Sequence, residues 1–170
     1  MDHFARLGLP AALELEPATL DRAYFARQRQ WHPDRFVARP PDERARASAE
    51  AAALNDAYRT LKDPLSRAVY LAALKGVDLP GDGKTIDDPE LLMEAMEARE
   101  ALHEAPTVEA VEQLAAGVRD DMKKSLGGLV GLFLANDKAA IRKALLRLRY
   151  LDKFAEEARA RRANLGRSST

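Results

Sequence analysis

Apolar residues recur along this chain at the three- and four-residue spacing of helices. In the segment opened by Glu16-Pro17, a polar cap followed by proline at the first helical position, Leu20, Ala23, Tyr24 and Trp31 share one side. Arg22, Arg29 and Gln30 fall outward. Arg27 interrupts the apolar stripe, so its stem is expected along the groove with the guanidinium at the rim. Upstream, Asp2 can cap a short helix on which Phe4 and Leu7 share a face, with Gly8 as its stop. Downstream, Pro33 ends the second helix because proline lacks an amide hydrogen. Arg35-Phe36 then leads into a loop closed by Pro40-Pro41. From Asp42 an alanine-rich, helix-favouring stretch carries Leu54, Tyr58 and Leu61 as a buried seam. Asp63-Pro64 repeats the cap-plus-proline signal, and Gly76 closes a fourth helix. The pattern predicts two long antiparallel helices joined by a loop, with short helices packed at one end.

Residues 77–88 hold Pro80, Gly81, Gly83 and several aspartates, the composition of a linker. Asp88-Pro89 starts a further helix. At about 100° per residue its Leu91, Ala95, Ala98 and Leu102 face a core, while Leu92, Met93, Met96, Glu97, Glu100 and Glu104 occupy a second, roughly opposite arc. Three large apolar residues lie there among carboxylates, either packed on another part of the chain or offered to a partner. In the last helix Ile141, Leu145, Leu148, Leu151 and Ala155 make a core stripe, and Leu146, Tyr150 and Phe154 recur every four residues beside it. Between the two runs a helix interrupted by Gly117, Gly127, Gly128 and Gly131, glycines that suggest close helix contact or a locally weak turn. Asn136-Asp137 closes it. An all-α chain with three antiparallel helices in its second half is the expected result.

Charge sharpens the picture. The 27 Lys and Arg balance 27 Asp and Glu, which removes the long-range attraction to phosphate backbones, so no nucleic-acid partner is expected. The asymmetry is local: Glu90, Glu94, Glu97, Glu100 and Glu104 face only Arg99 in their helix, whereas the last helix carries Arg142, Lys143, Arg147, Arg149 and Lys153. These helices could attract each other across a bundle, or either could meet a charged partner. With no cysteine, disulfides and thiolate metal sites are excluded, and three scattered histidines form no metal centre. Neither a cofactor nor a metal is expected. No run is long enough to span a bilayer and the N-terminus is not a signal sequence, so a cytoplasmic setting, no membrane partner and a monomer are expected.

The chemistry concentrates at His32-Pro33-Asp34, held at the corner where a helix stops. A bare corner of this kind reads either as a helix stop with a solvated turn or as a recognition element. His32 has no neighbouring nucleophile, which argues against an enzyme built on His32 and Asp34.

Trp31 just before the tripeptide, Arg35-Phe36 just after it, and Asn55-Asp56-Ala57-Tyr58-Arg59-Thr60-Leu61 followed by Pro64 resemble a J domain. Leu92-Met93-Glu94 with Glu97 and Arg99-Glu100, then Leu148-Arg149-Tyr150-Leu151-Asp152-Lys153, are similar to the C-terminal domain of the HscB family of J-type co-chaperones. With the Arg67-Ala68-Val69-Tyr70-Leu71 segment, the resemblance spans nearly the whole chain. It implies a J domain over residues 1–76, a linker over 77–88 and a scaffold-binding three-helix bundle over 89–170. It further implies binding of an IscU-like iron–sulfur scaffold protein, its delivery to an HscA/DnaK-class chaperone, and stimulation of that chaperone's ATP hydrolysis. By the same resemblance His32, Pro33 and Asp34, with Arg22, Arg27, Arg29 and Arg35, form the chaperone face. Leu92, Met93, Met96, Glu97, Arg99, Glu100, Glu104 and Tyr150 form the scaffold face. The chain departs from the family pattern at Arg27, around Gly127 and in its short arginine-rich end. The alternative is a general J-domain co-chaperone or holdase for unfolded clients, although the chain lacks the Gly/Phe-rich or cysteine-rich client region such proteins usually carry.

Overall fold

The computed structural model describes residues 1–81, 84 and 86–168; Gly83 of the expected linker lies outside the described residues. Among the described residues every regular element is helical, so the fold is all-α. The chain divides into two compact units, Met1–Leu74 and Lys75–Thr170.

In the first unit α1 (His3–Leu7) starts where the Asp2 carboxylate accepts the Ala5 N–H at 2.8 Å and stops at Gly8, whose φ of 70° favours a residue without Cβ. Helix α2 (Pro17–Trp31) begins at Glu16, whose side chain makes no capping bond, so Pro17 alone sets the start. The stretch after it is not a plain loop: Pro33–Phe36 forms one 3-10 turn before α3 (Pro41–Lys62). Asp63 then accepts the Ser66 N–H at 2.8 Å to open α4 (Pro64–Leu74).

Helices α2 and α3 are antiparallel. Tyr58 donates to Asp21 and Tyr24 to Asn55, while Arg46 lies over the Trp31 ring, so partners on α3 recede as those on α2 advance. Phe4, Leu7, Leu20, Ala47, Leu54, Ala57 and Leu61 are buried; Tyr58 stays half-buried because its hydroxyl must reach Asp21. Arg67 is buried with them, its Nε donating to the Leu13 carbonyl and its Nη1 to that of Leu61, each at 2.7 Å. One guanidinium thereby satisfies two carbonyls that would otherwise be buried unpaired. Arg27 carries its guanidinium outward, as expected, and seats it against Gly8. It is exposed, and its guanidinium approaches Gly8 so closely that a Cβ there would stand 2.9 Å from Nη2.

In the second unit α5 (Pro89–Glu104), α6 (Val108–Leu134) and α7 (Lys138–Ser168) each begin at a side-chain cap: Asp88 on the Leu91 N–H, Thr107 on Ala110 and Asp137 on Ala140, all at 3.1 Å. Asn136 takes the left-handed conformation, φ 53°, in the turn before α7. Two short connections each reverse the chain, so successive helices run antiparallel, as expected, and α5 and α7 are parallel to each other. Glu90 with Lys143 and Glu94 with Arg147 are each 53 positions apart, which fixes that direction. Leu102, Val111, Val118, Leu151, Phe154 and Ala158 make one core cluster, while Leu91, Leu129, Ile141, Leu145 and Leu148 are also buried.

The glycines of α6 need another explanation than close contact. Gly117, Gly127, Gly128 and Gly131 are exposed, and a Cβ on any of them would meet nothing within 4 Å. Helix α6 passes through them unbroken because Val111, Val118 and Leu129 anchor its other side.

Candidate protein-binding sites

The corner in the first unit is built on stacked aromatics. Trp31 ends α2 and Phe36 ends the 3-10 turn, their rings 6.0 Å apart and within 6° of parallel, with Arg46 5.7 Å from the Trp31 ring centre. Arg35 donates Nη1–H to the Arg29 carbonyl at 3.0 Å, satisfying an orphan acceptor at the end of α2. The Arg35 N–H returns to the His32 carbonyl at 3.0 Å. His32 Nδ1 accepts the Asp34 N–H at 3.3 Å, which leaves the other ring nitrogen as the donor. These local bonds turn His32 and Asp34 outward, their side chains 50% and 87% exposed. Among the described residues the Asp34 carboxylate has the His32 ring as its one ionic neighbour, at 3.6 Å, so its acceptor capacity faces water.

Arg22, Arg27, Arg29 and Arg35 are all exposed, but not on one face. Arg22 and Arg29 share a stripe of α2, whereas Arg27 stands about 140° round the helix and belongs with Gly8. Phe25, 52% exposed, lies between Arg22 and Arg29 on their stripe. Sequence reasoning passed over it, although a lone aromatic on a polar stripe is a readable signal.

The second unit holds a groove of about 710 Å³. Leu92, Ala95, Met96 and Arg99 of α5 form one side; Leu146, Arg149, Tyr150, Lys153 and Phe154 of α7 lie across from them. Pro80, Gly81 and Ile86, from the segment before α5, also line it. That segment is tied to α7: Arg149 donates to the Pro80 carbonyl at 2.6 Å, and Arg142 to the Asp78 carbonyl and both oxygens of Asp87. Of the expected scaffold face, Leu92, Met96, Arg99 and Tyr150 come together in the groove. Met93, Glu97, Glu100 and Glu104 are exposed on the outward arc of α5 and do not line it. Met93 and Met96 are 63% and 62% exposed and Leu92 is half-buried, while Leu146 and Phe154 are buried. Leu92 and Met96 from the second arc of α5 are therefore a lip, and Leu146 and Phe154 from the second stripe of α7 a floor.

Charge divides α5 in two. Toward its start the carboxylates answer α7, with Lys143 donating to Glu90 at 2.6 Å and Arg147 to both oxygens of Glu94 at 3.0 and 3.1 Å. Further on, Arg99 is itself held by both oxygens of Glu157. Glu97, Glu100 and Glu104 have no ion-pair partner among the described residues, so they fringe the exposed methionines. Glu94 also accepts the Tyr150 hydroxyl at 2.9 Å. The bonds from Arg147, joined by that of Tyr150, hold the Glu94 carboxyl below the usual range. Burial, with the bond to Glu94, pushes the Tyr150 phenol up to about 12. Among the described residues no cluster of His, Cys, Asp or Glu could hold a metal ion, and no helix is long and apolar enough to cross a membrane.

Comparison with known proteins adds to this geometry. The family model described as the HSCB C-terminal oligomerisation domain matches residues 87–159. A Burkholderia multivorans protein named co-chaperone protein HscB homolog is 39% identical over 158 residues, 91% of this chain and 90% of its own length. Among solved structures, the chaperone HscB from Vibrio cholerae is 32% identical with a TM-score of 0.84, covering 97% of this chain and 99% of that one. The human co-chaperone protein HscB is 28% identical with a TM-score of 0.87, covering 97% and 84%.

Proposed function

The chain belongs to the HscB family of co-chaperones, and on that premise we propose that it binds an IscU-like iron–sulfur scaffold protein and delivers it to an HscA/DnaK-class chaperone whose ATP hydrolysis it stimulates. Residues 1–76 act as the J domain and residues 89–170 as the scaffold-binding domain, in a cytoplasmic monomer. The observation that carries this reading is the presence on one chain of an outward His-Pro-Asp corner and, in the other unit, an open groove edged by Leu92 and Met96.

At the corner the Asp34 carboxylate accepts charge-assisted hydrogen bonds from an arginine of the chaperone. Arg22, Arg29 and Arg35, with Phe25 among them, meet an acidic face, and Arg27 contributes charge from its separate position. No bond is made or broken here, since the hydrolytic chemistry belongs to the partner. At the groove the scaffold covers Leu92, Met96 and Tyr150, with Met93 beside them on the outward arc of α5, and the apolar surface so removed from water favours binding by about 25 cal/mol per Å². Thioethers suit this task because they adapt to an irregular surface. Glu97, Arg99, Glu100 and Glu104 frame the contact and select against a partner with an acidic rim.

Titration calorimetry with purified scaffold, paired with single-turnover ATP hydrolysis by the chaperone, tests the reading. Scaffold binding and faster hydrolysis are both expected. A protein that does neither, yet protects many denatured proteins from aggregation, is a general holdase.

A further inference from the structure

The groove exposes one aromatic whose polar end is already engaged within the chain. Tyr150 lines the groove and stands half-buried, and its hydroxyl donates to Glu94 Oε2 at 2.9 Å. That carboxylate is not free to turn, because Arg147 grips both of its oxygens from α7 one turn before the tyrosine. The three side chains thus form a closed relay from α7 to α5 and back. A phenol carries one O–H, and here it is spent. Its oxygen can still accept, but that side lies beside the Arg147 guanidinium, so the ring and its edge are what it offers a partner.

We propose that Glu94 and Arg147 are positioning residues that fix the Tyr150 ring in the groove, and that Tyr150 therefore meets an apolar side chain of the scaffold rather than a hydrogen-bond acceptor. This rests on the scaffold-binding reading and deepens it by naming the chemistry of the bound group. Without the carboxylate the ring would turn about χ1 and χ2, and its immobilisation would have to be met on binding. The charged pair itself is about one-third exposed on each side, so its role is orientation more than attraction.

The test uses the full chain and purified scaffold, with variants Glu94→Ala, Glu94→Gln, Tyr150→Phe and the Glu94→Ala/Tyr150→Phe pair. Glu94→Ala and Tyr150→Phe should each weaken scaffold binding about 3- to 10-fold, the net worth of one hydrogen bond. The double variant should lose no more than the worse single one, because both remove the same tether. Glu94→Gln keeps an acceptor and should recover part of the loss. Ultraviolet titration, with Tyr150→Phe subtracted to isolate this phenol, should show its ionisation falling from about 12 toward its ordinary value in Glu94→Ala.

Wild-type affinity in Glu94→Ala, or two losses that add in the double variant, overturns the positioning role. A Tyr150→Phe loss far larger than that of Glu94→Ala shows that the partner accepts from the phenol and overturns the apolar assignment. Failure of the underlying reading looks different: either the wild-type chain does not bind scaffold, or Leu92→Ala/Met96→Ala binds as well as wild type.

Discussion

The corner in the first unit and the groove in the second present side chains to water by opposite means. At the corner everything that matters lies within a few consecutive residues: Pro33 stops the helix, His32 takes the Asp34 amide, and Arg35 returns to the Arg29 carbonyl. In the groove the fixing contacts join positions 53 to 69 apart, from Glu94 with Arg147 to Pro80 with Arg149. A locally determined site keeps its shape when its surroundings are changed. One assembled from distant partners depends on each of them, so the two should respond differently to substitution.

The largest expected effect is at the groove. Replacing Leu92 and Met96 together with alanine should weaken scaffold binding at least about 100-fold in calorimetry, since two central apolar contacts of hot-spot size are lost. Met93→Ala should cost less, because Met93 does not line the groove. Equal losses from Met93 and Met96 would move the contact to the outward arc of α5. At the corner, Asp34→Asn should leave the circular-dichroism melt unchanged yet reduce stimulation of the chaperone ATPase by roughly 10- to 150-fold, the worth of a hydrogen bond to a charged group. Unchanged single-turnover hydrolysis would remove Asp34 from that role.

Smaller effects probe how each unit is held. Gly8→Ala places a Cβ on a residue with φ 70°, costing roughly 1 to 2 kcal/mol, so the thermal midpoint should fall; an unchanged midpoint would mean that the turn relaxes freely. At Glu94 the folded carboxyl is held below its ordinary range, so its contribution is complete above the unfolded value near 4.3 and is lost as pH falls through the folded one. The difference in melting temperature between wild type and Glu94→Gln should be present at neutral pH and close as the pH falls below the ordinary carboxylate range. A difference constant across that range would show that the pair is no brace. Gly128→Ala should raise stability by about 0.5 to 1 kcal/mol with scaffold affinity unchanged, because its Cβ meets open space in a helix interior.

How far the sequence could be read follows the same division. Proline, cap and glycine signals are local, so the starts of α1, α4 and α5 were legible, as was the outward turn at the tripeptide, whereas Asp137, read as the close of α6, also caps α7. The core stripes of α5 and α7 were legible from periodicity, since Leu91, Leu102, Ile141, Leu145, Leu148 and Leu151 are buried. The outward guanidinium of Arg27 was legible, but its seat against Gly8, nineteen positions away, was not. The glycines of α6 pointed to close packing or a locally weak turn, and among the described residues a Cβ on them would meet nothing within 4 Å, which removes the first. The acidic and basic helices announced an attraction, but only the pairing shows that Glu90 and Glu94 are answered while Glu97, Glu100 and Glu104 are left to fringe the methionines. Tyr150 was legible as part of the second stripe of α7; its tether was not, because Glu94 lies 56 positions away.

Two separable grips on one chain are the central claim, and the most direct measurement is single-turnover ATP hydrolysis by the chaperone with scaffold present and absent, run beside scaffold calorimetry for Asp34→Asn and for Leu92→Ala/Met96→Ala. Asp34→Asn should bind scaffold normally and fail to accelerate hydrolysis. Leu92→Ala/Met96→Ala should accelerate hydrolysis on its own, lose scaffold binding, and lose whatever increment scaffold adds. If either variant loses both properties while remaining folded, the two sites are not independent and the account is contradicted.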